Sequence, residues 1–399
     1  MSVATAPRFS ASFEDARAAM RAGDRRTVLG IALQQVLFGL VPLVFLIAVA
    51  RYVLSGPNSA VDFRDAYWVA GQRLLHGSSP YVWTTAQIKD GVAFVYPALS
   101  ALIFAPFALL PIGAGAYLAT LFAILTTPAI LWILGVRDWR VFGISLLWLP
   151  VFGAWQSANE TIFLVAMVAL VWRYRDNPLV AAVLTAIAIS LKPFIWPLAL
   201  WLLVTRRWRA SAYTLLFGAA INLVSWSLLG WNQVRAYLHA AGLDSHYAWR
   251  AGYGVAAIGS HLGFGHSVGT ALTVFVSIAL AGAIFYAGFV KRRERQALTL
   301  TILLMLAASP LVWSHYFALL LVPVAIERPR LSWLWLPPVL MWLWACPPSL
   351  YVHGMQEAAA WVLIGTMSVA LVRAGGTRRP QSPAWLAVRR WCLAAASVC

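Results

Sequence analysis

The chain has 399 residues, 61% hydrophobic and only 11% charged, with a net charge of +17. An ordinary soluble domain carries about 25% charged residues, so composition excludes one and points to a membrane protein. The Lys and Arg residues sit in short clusters between apolar runs, which is the pattern of cytoplasmic loops rather than of a nucleic-acid surface, so the expected partner is the lipid bilayer and not nucleic acid.

Residues 1–27 form a basic leader, with Arg21, Arg25 and Arg26 just before the first apolar run at 28–54. This places the N-terminus in the cytoplasm. An amphipathic helix near 11–22 and a structureless leader both fit the leader itself. The first run is too long for a signal-peptide core and reads as an uncleaved anchor. Further runs follow at 94–111, 115–135, 141–154, 160–172, 178–191, 193–204, 211–229, 267–290, 297–312, 314–326, 331–346 and 356–373. The expected fold is an all-α polytopic membrane protein with about twelve transmembrane helices and both termini cytoplasmic. Residues 28–373 make one transmembrane domain, with a first external loop at 55–93, a second external segment at 230–266, and a basic cytoplasmic tail at 374–399.

Basic clusters at 173–175, 205–209, 291–295 and 328–330 then lie inside, and 61–93, 155–159, Lys192, 230–266, 313–316 and 347–355 lie outside. One conflict remains in this alternation. Two full spans between 94 and 135 carry Arg137 and Arg140 to the outside. Either one run (94–111 or 141–154) is re-entrant, or the charge rule fails at that cluster. In the tail, Trp385, Val388, Trp391 and Cys392 fall at helical spacing beside Arg389 and Arg390, which fits either an inner-leaflet helix or a frayed end. Cys346, Cys392 and Cys399 show no metal or disulfide spacing, and His239, His246 and His261 are not at metal spacing either, so no metal is expected.

The stretch 61–111 organises the rest. Asp62 and Asp65 open it, in a chain with 13 acidic residues. Tyr67, Trp68, Ala70, Leu74 and Leu75 share one side of a helix, with Arg64, Gln72 and Arg73 off it. His76-Gly77 ends that helix, and Ser78-Ser79-Pro80-Tyr81 turns the chain. A carboxylate here has two readings: a base acting on a sugar hydroxyl, or a helix N-cap.

Asp62-Phe63, Tyr67-Trp68, Ala70-Gly71, Leu74-Leu75-x-Gly77, Pro80-Tyr81 and Tyr96-Pro97, in this order, resemble the first external loop of glycosyltransferase family 87. These are integral-membrane enzymes of the GT-C fold that use polyprenyl-phosphate sugars, and alpha-mannosyltransferases of mycobacterial phosphatidylinositol mannoside synthesis are familiar members. The resemblance covers roughly residues 58–330. It implies transfer of a hexose, mannose by analogy, from a polyprenyl-phosphate donor to a lipid-linked or envelope glycan acceptor on the external side of the plasma membrane. It also implies Asp62 as catalytic base, with Asp65 left to a cap or salt bridge.

Lys192, in SLKPF, matches a Lys-Pro of the family. It suits a phosphate contact, or else snorkels at a helix end. Ser309, Pro310, Trp313 and His315 match a family spacing, although Ser314 stands where many members carry an acid. His315 then contacts phosphate or sugar, or is simply a satisfied interfacial histidine. Gln156 and Asn159 match a Gln-x-x-Asn and suit sugar hydroxyls as well as helix contacts. Tyr96, Arg64 and Asp65 join the candidate substrate-binding residues, with Arg73 and Arg250 as further phosphate candidates and Glu160 as a rival carboxylate. The family's Asn-Ser element is not evident in 230–266. No Gly-rich nucleotide loop and no soluble catalytic domain is present, so no cofactor is expected and an activated lipid donor fits. A lipid-sugar flippase and a glycan polymer ligase are the alternatives.

Overall fold

Apolar runs in a bilayer must satisfy every backbone N–H and C=O internally, and these runs become helices throughout the described chain. The computed structural model describes residues 9–55, 59–89, 91–248, 252–261, 263, 265–343 and 354–377. Among these, five helices are long and apolar enough to cross a membrane: Arg25–Tyr52, Ile112–Ile133, Trp208–Leu229, His266–Val290 and Gln356–Gly375. Shorter apolar helices include Thr161–Tyr174, Pro178–Leu191, Pro193–Val204 and Ser314–Glu327. The leader forms a helix at Phe9–Arg21, and Asp24 caps the next helix by accepting from Thr27 N at 3.1 Å. The tail beyond 377, Cys346 and Arg250 lie outside the described residues.

The basic clusters meet at one end of the bundle. Arg207 reaches Asp176 and Glu294 at 3.0 Å each, and Arg175 reaches Glu294 at 3.2 Å. Asp138, fully buried, pairs with Arg140 at 2.9 Å and accepts from Leu331 N at 3.0 Å. Arg140 also donates to Gln34 at 3.2 Å, which brings the start of the first long helix to the same end. Partly exposed pairs of this kind add little stability each, but they fix which loops lie together.

The segment after Tyr96 bears on the conflict in alternation. Its run contains Pro97, Pro106 and Pro111, and proline removes a backbone donor and blocks a continuous helix. It folds as a short helix, Ala98–Phe104, followed by a 3₁₀ turn, Ala105–Leu109. Both of its ends stay beside the 62–75 helix: the Tyr96 ring lies tilted against Tyr67, centroids 4.7 Å apart, while Leu110 O accepts from Trp68 Nε1 at 3.1 Å and Ala108 O accepts from Gln72. The run at 94–111 therefore returns to the end it started from. The run at 141–154 does not turn back. It is divided between helices Trp139–Leu146 and Leu149–Ser157, and leads from the Arg140 end to the opposite one.

The 62–75 helix buries Phe63, Ala66, Tyr67, Ala70 and Gly71, positions at helical spacing. Leu75, placed on the apolar face by the sequence pattern, is exposed, because the helix ends one residue later at His76 and Gly77 takes φ +68°. Close packing on the returning segment depends on Gly71. A Cβ there would lie 2.8 Å from the Ala108 Cβ and 3.1 Å from the Ala105 Cα. Gly71→Ala is expected to destabilise by about 1–3 kcal/mol, the usual cost of overpacking, and to lower the apparent Tm in detergent. Gly113→Ala, which meets nothing within 4 Å, serves as the neutral control. An unchanged Tm in both variants would sink the packing argument.

Candidate active site

Opposite the basic end, the backbone breaks helices at two depths and brings distant segments together. The helix Leu149–Ser157 stops because Ala158 adopts a left-handed conformation, φ 50°. Ala60 does the same, φ 54°, and its N–H donates to Gln156 O at 2.7 Å. Both alanines are buried. Non-glycine residues in this region cost about 1–3 kcal/mol and cluster at functional sites. The first turns after Val61 are π-helical, Asp62–Trp68, a wide form also common at such sites. Lys192 ends the helix Pro178–Leu191 in extended backbone, φ −145°, because the following Pro193 disfavours a helical residue before it.

Asn159, 1% exposed, is the hub. Its Oδ1 accepts from Thr161 N at 2.9 Å, Thr161 Oγ1 at 2.6 Å and Lys192 Nζ at 3.2 Å. The backbone N–H and the ammonium can only donate, so they fix the amide's orientation and turn Nδ2 toward Asp62. Nδ2 donates to Asp62 Oδ2 at 2.6 Å, with the Tyr96 and Tyr67 hydroxyls at 3.3 and 3.4 Å. One amide thus joins a carboxylate to an ammonium.

Lys192, 7% exposed, lies over the Tyr316 and Tyr96 rings, at 4.5 and 5.1 Å from their centroids. These contacts stabilise the cation without consuming its donors. Of three N–H donors, one reaches Asn159. Asp62 keeps some solvent exposure, although protein surrounds its carboxyl group. Burial pushes its pKa above the usual carboxylate value, against the opposing pull of Asn159 and of the Lys192 charge. Glu160, 2% exposed, accepts from Ser100 Oγ at 3.0 Å through Oε2, while its Oε1 has no hydrogen-bond partner among the described residues. His315, also buried, sits edge-on to Tyr316 with ring centroids 5.0 Å apart, and its Nε2 is likewise without a partner among the described residues. Two buried polar atoms beside a cation and a carboxylate can hydrogen-bond a polar ligand.

The structure brings together Asp62, Tyr96, Asn159 and Lys192, with His315 alongside. Gln156 contributes its backbone carbonyl. Arg64 is half-buried, its Nε without a partner among the described residues, and Asp65 is exposed; neither bonds to the Asn159 cluster. Neither aspartate caps a helix: Val61 occupies the cap position without a side-chain bond, and Asp65 forms no ion pair among the described residues. Asp244 escaped the sequence reading. It lies on the helix Gln233–Ala248, and burial pushes its pKa up to about 6 against the field of Lys192. A signal existed, because Asp244 is the single acid between 230 and 266. Tyr67, Thr161 and Tyr316 were not assigned to a site because aromatic and hydroxyl side chains are common inside helical bundles.

The model of glycosyltransferase family 87 matches residues 94–312, more than half of the chain. The chain belongs to glycosyltransferase family 87. This family-87 glycosyltransferase is similar to the polyprenol-phosphate-mannose-dependent alpha-(1-2)-phosphatidylinositol pentamannoside mannosyltransferase of Mycolicibacterium smegmatis, at 25% identity over 376 residues, covering 85% of this chain and 82% of the relative. No solved structure matches it. The matched stretch contains Tyr96, Gln156, Asn159 and Lys192; Asp62 precedes it and His315 follows it.

Proposed function

We propose that this family-87 enzyme transfers a hexose, mannose by analogy with its relative, from a polyprenyl-phosphate donor to a glycolipid or envelope-glycan acceptor at the external face of the plasma membrane. The observation that carries this is the Asp62–Asn159–Lys192 chain of contacts, a carboxylate and an ammonium held by one amide. In this reading Lys192 Nζ turns its free donors to the donor phosphate, and His315 Nε2 supplies a further contact. Asp62 accepts the proton of the acceptor hydroxyl as that oxygen attacks the anomeric carbon. The bond from the anomeric carbon to the phosphate oxygen breaks, polyprenyl phosphate leaves with the electron pair, and Asp62 later releases its proton to water. A single displacement on a beta-linked donor, as the family resemblance implies, gives an alpha linkage. In this reading Tyr96, Gln156 and Asp244 contact sugar or acceptor, and Arg64 and Asp65, which lie off the Asn159 cluster, contribute at most at its margin. Asp62 is favoured over Glu160 as base because Glu160 is almost fully enclosed.

An apolar groove of about 390 Å³ supports the lipid donor. Leu99, Ile103, Val183, Ile187, Phe217 and Ile221 line it, and it runs along the helix that ends at Lys192. A polyprenyl chain lying there would bring its phosphate to the helix end.

With the returning segment at 98–109, the chain alternates between the two ends in about twelve crossings of GT-C type, both termini cytoplasmic, as loop charge demands. Thr161–Arg173 has 13 residues and spans about 20 Å, less than the roughly 30 Å hydrocarbon core. Short helices of this kind set Asn159 and Lys192 below the external surface, where irregular backbone can line a cavity. A cysteine at Val82, which is exposed, is expected to react with an impermeant maleimide from outside, and one at Arg206 only after permeabilisation. Labelling of position 206 from outside overturns this orientation. The activity itself is tested in proteoliposomes with a panel of radiolabelled polyprenyl-phosphate sugars. Transfer from polyprenyl-phosphate mannose is expected. Lipid movement without transfer identifies a flippase, and transfer of a whole glycan from a lipid pyrophosphate identifies a ligase.

A further inference from the structure

At the basic end, far from Asp62, a groove of about 720 Å³ is lined by Arg328, Trp333, Thr366, Val369, Ala370, Arg373 and Ala374. Five of these residues lie on one helix at 366, 369, 370, 373 and 374, a spacing that forms one stripe about two turns long. The stripe is graded. Val369 and Ala370 make an apolar middle, and Arg373 stands at the end nearer the basic loops. Arg328, from the loop after Leu321–Glu327, and Trp333, half exposed, line the same groove. Among the described residues, no carboxylate lines the groove. Gly375, one turn from the stripe's centre, packs directly on Gln296 and Arg295, so a third basic segment adjoins.

Two arginines in one groove, an apolar strip on the helix that carries one of them and a half-exposed tryptophan match the three parts of a phospholipid: phosphate, acyl chain and interfacial region. The charge selects the occupant, because a zwitterionic headgroup brings its own cation to the two arginines while an anionic one does not. We propose that this groove binds the headgroup of an anionic phospholipid from the inner leaflet. Arg328 and Arg373 grip the phosphate, and an acyl chain lies along Val369, Ala370 and Thr366.

The test uses the full chain, purified in detergent and delipidated, then titrated with phosphatidylglycerol or with phosphatidylcholine of the same acyl chains. Native mass spectrometry is expected to show selective retention of phosphatidylglycerol. Arg328→Gln with Arg373→Gln should weaken that retention by about tenfold or more, from the loss of two surface cations. Arg206→Gln with Arg292→Gln, at the same end but outside the groove, should change it less than twofold. Val369→Trp keeps both arginines and fills the strip, and it should weaken retention as well. A thermal shift on adding phosphatidylglycerol should appear in wild type and vanish in the double groove variant, and inorganic phosphate should not reproduce it. Equal retention of the two lipids, an equal loss in the control pair, or protection by phosphate alone overturns the proposal.

Discussion

Asp62→Asn is expected to insert and fold as the wild type does, to bind polyprenyl-phosphate sugar with similar affinity, and to lose turnover by about 10²–10⁴, the usual worth of a positioned base. The side-chain oxygen of an asparagine still accepts from Asn159 Nδ2, the 2.6 Å contact that holds Asp62 in place, but it cannot take a proton from the acceptor at neutral pH. Asp65→Asn, on an exposed side chain, should keep most activity. The pH dependence separates chemistry from folding. The base works only when ionised, so kcat/KM should rise with pH and fall on acidification. Burial raises the Asp62 pKa, so this acid limb should lie above the ordinary carboxylate value of about 3.9. In Asp62→Asn the limb should disappear from the residual activity. Full turnover in that variant, or an unchanged limb, removes Asp62 as base and makes Asp244 and Glu160 the next residues to test.

Lys192→Met should weaken donor binding by roughly tenfold to 150-fold, equivalent to about 1.5–3 kcal/mol for hydrogen bonds to a charged group. Methionine keeps most of the stem that carries the ammonium over Tyr96 and Tyr316. The loss then reports the charge rather than a cavity. Turnover at saturating donor should fall less than affinity, since a phosphate contact made before reaction mainly supports the ground state. Lys192→Arg is not expected to restore binding, because a planar fork does not replace a compact ammonium in a buried cage of rings. A second readout follows from the network. The Lys192 charge helps keep Asp62 ionised, so its removal should move the acid limb to higher pH. Unchanged donor affinity together with an unmoved limb rules out this role for Lys192.

Much of the architecture was legible in the sequence because it depends on local composition. Apolar runs in lipid have few options besides helix, and Pro193 and Gly77 mark breaks by their own backbone restrictions. The order of basic clusters gave the orientation now proposed. It also exposed the conflict at Arg137–Arg140, but left 94–111, 141–154 and a local failure of the charge rule as equal explanations, and the contacts of Ala98–Leu109 favour the first. Asp62, Asn159 and Lys192 were each visible as polar residues beside apolar runs. Their connection was not, because they are separated by 97 and 33 positions and meet only when helix ends converge. The local backbone decided against the cap reading of Asp62, since Val61 before it occupies the cap position and is already helical. Sequence pattern, being periodic, could not weigh Tyr67 as core against Tyr67 as a hydroxyl facing Asn159; its ring and its oxygen do both. Chemistry at this site depends on distances between side chains from different helices, and only tertiary packing sets those.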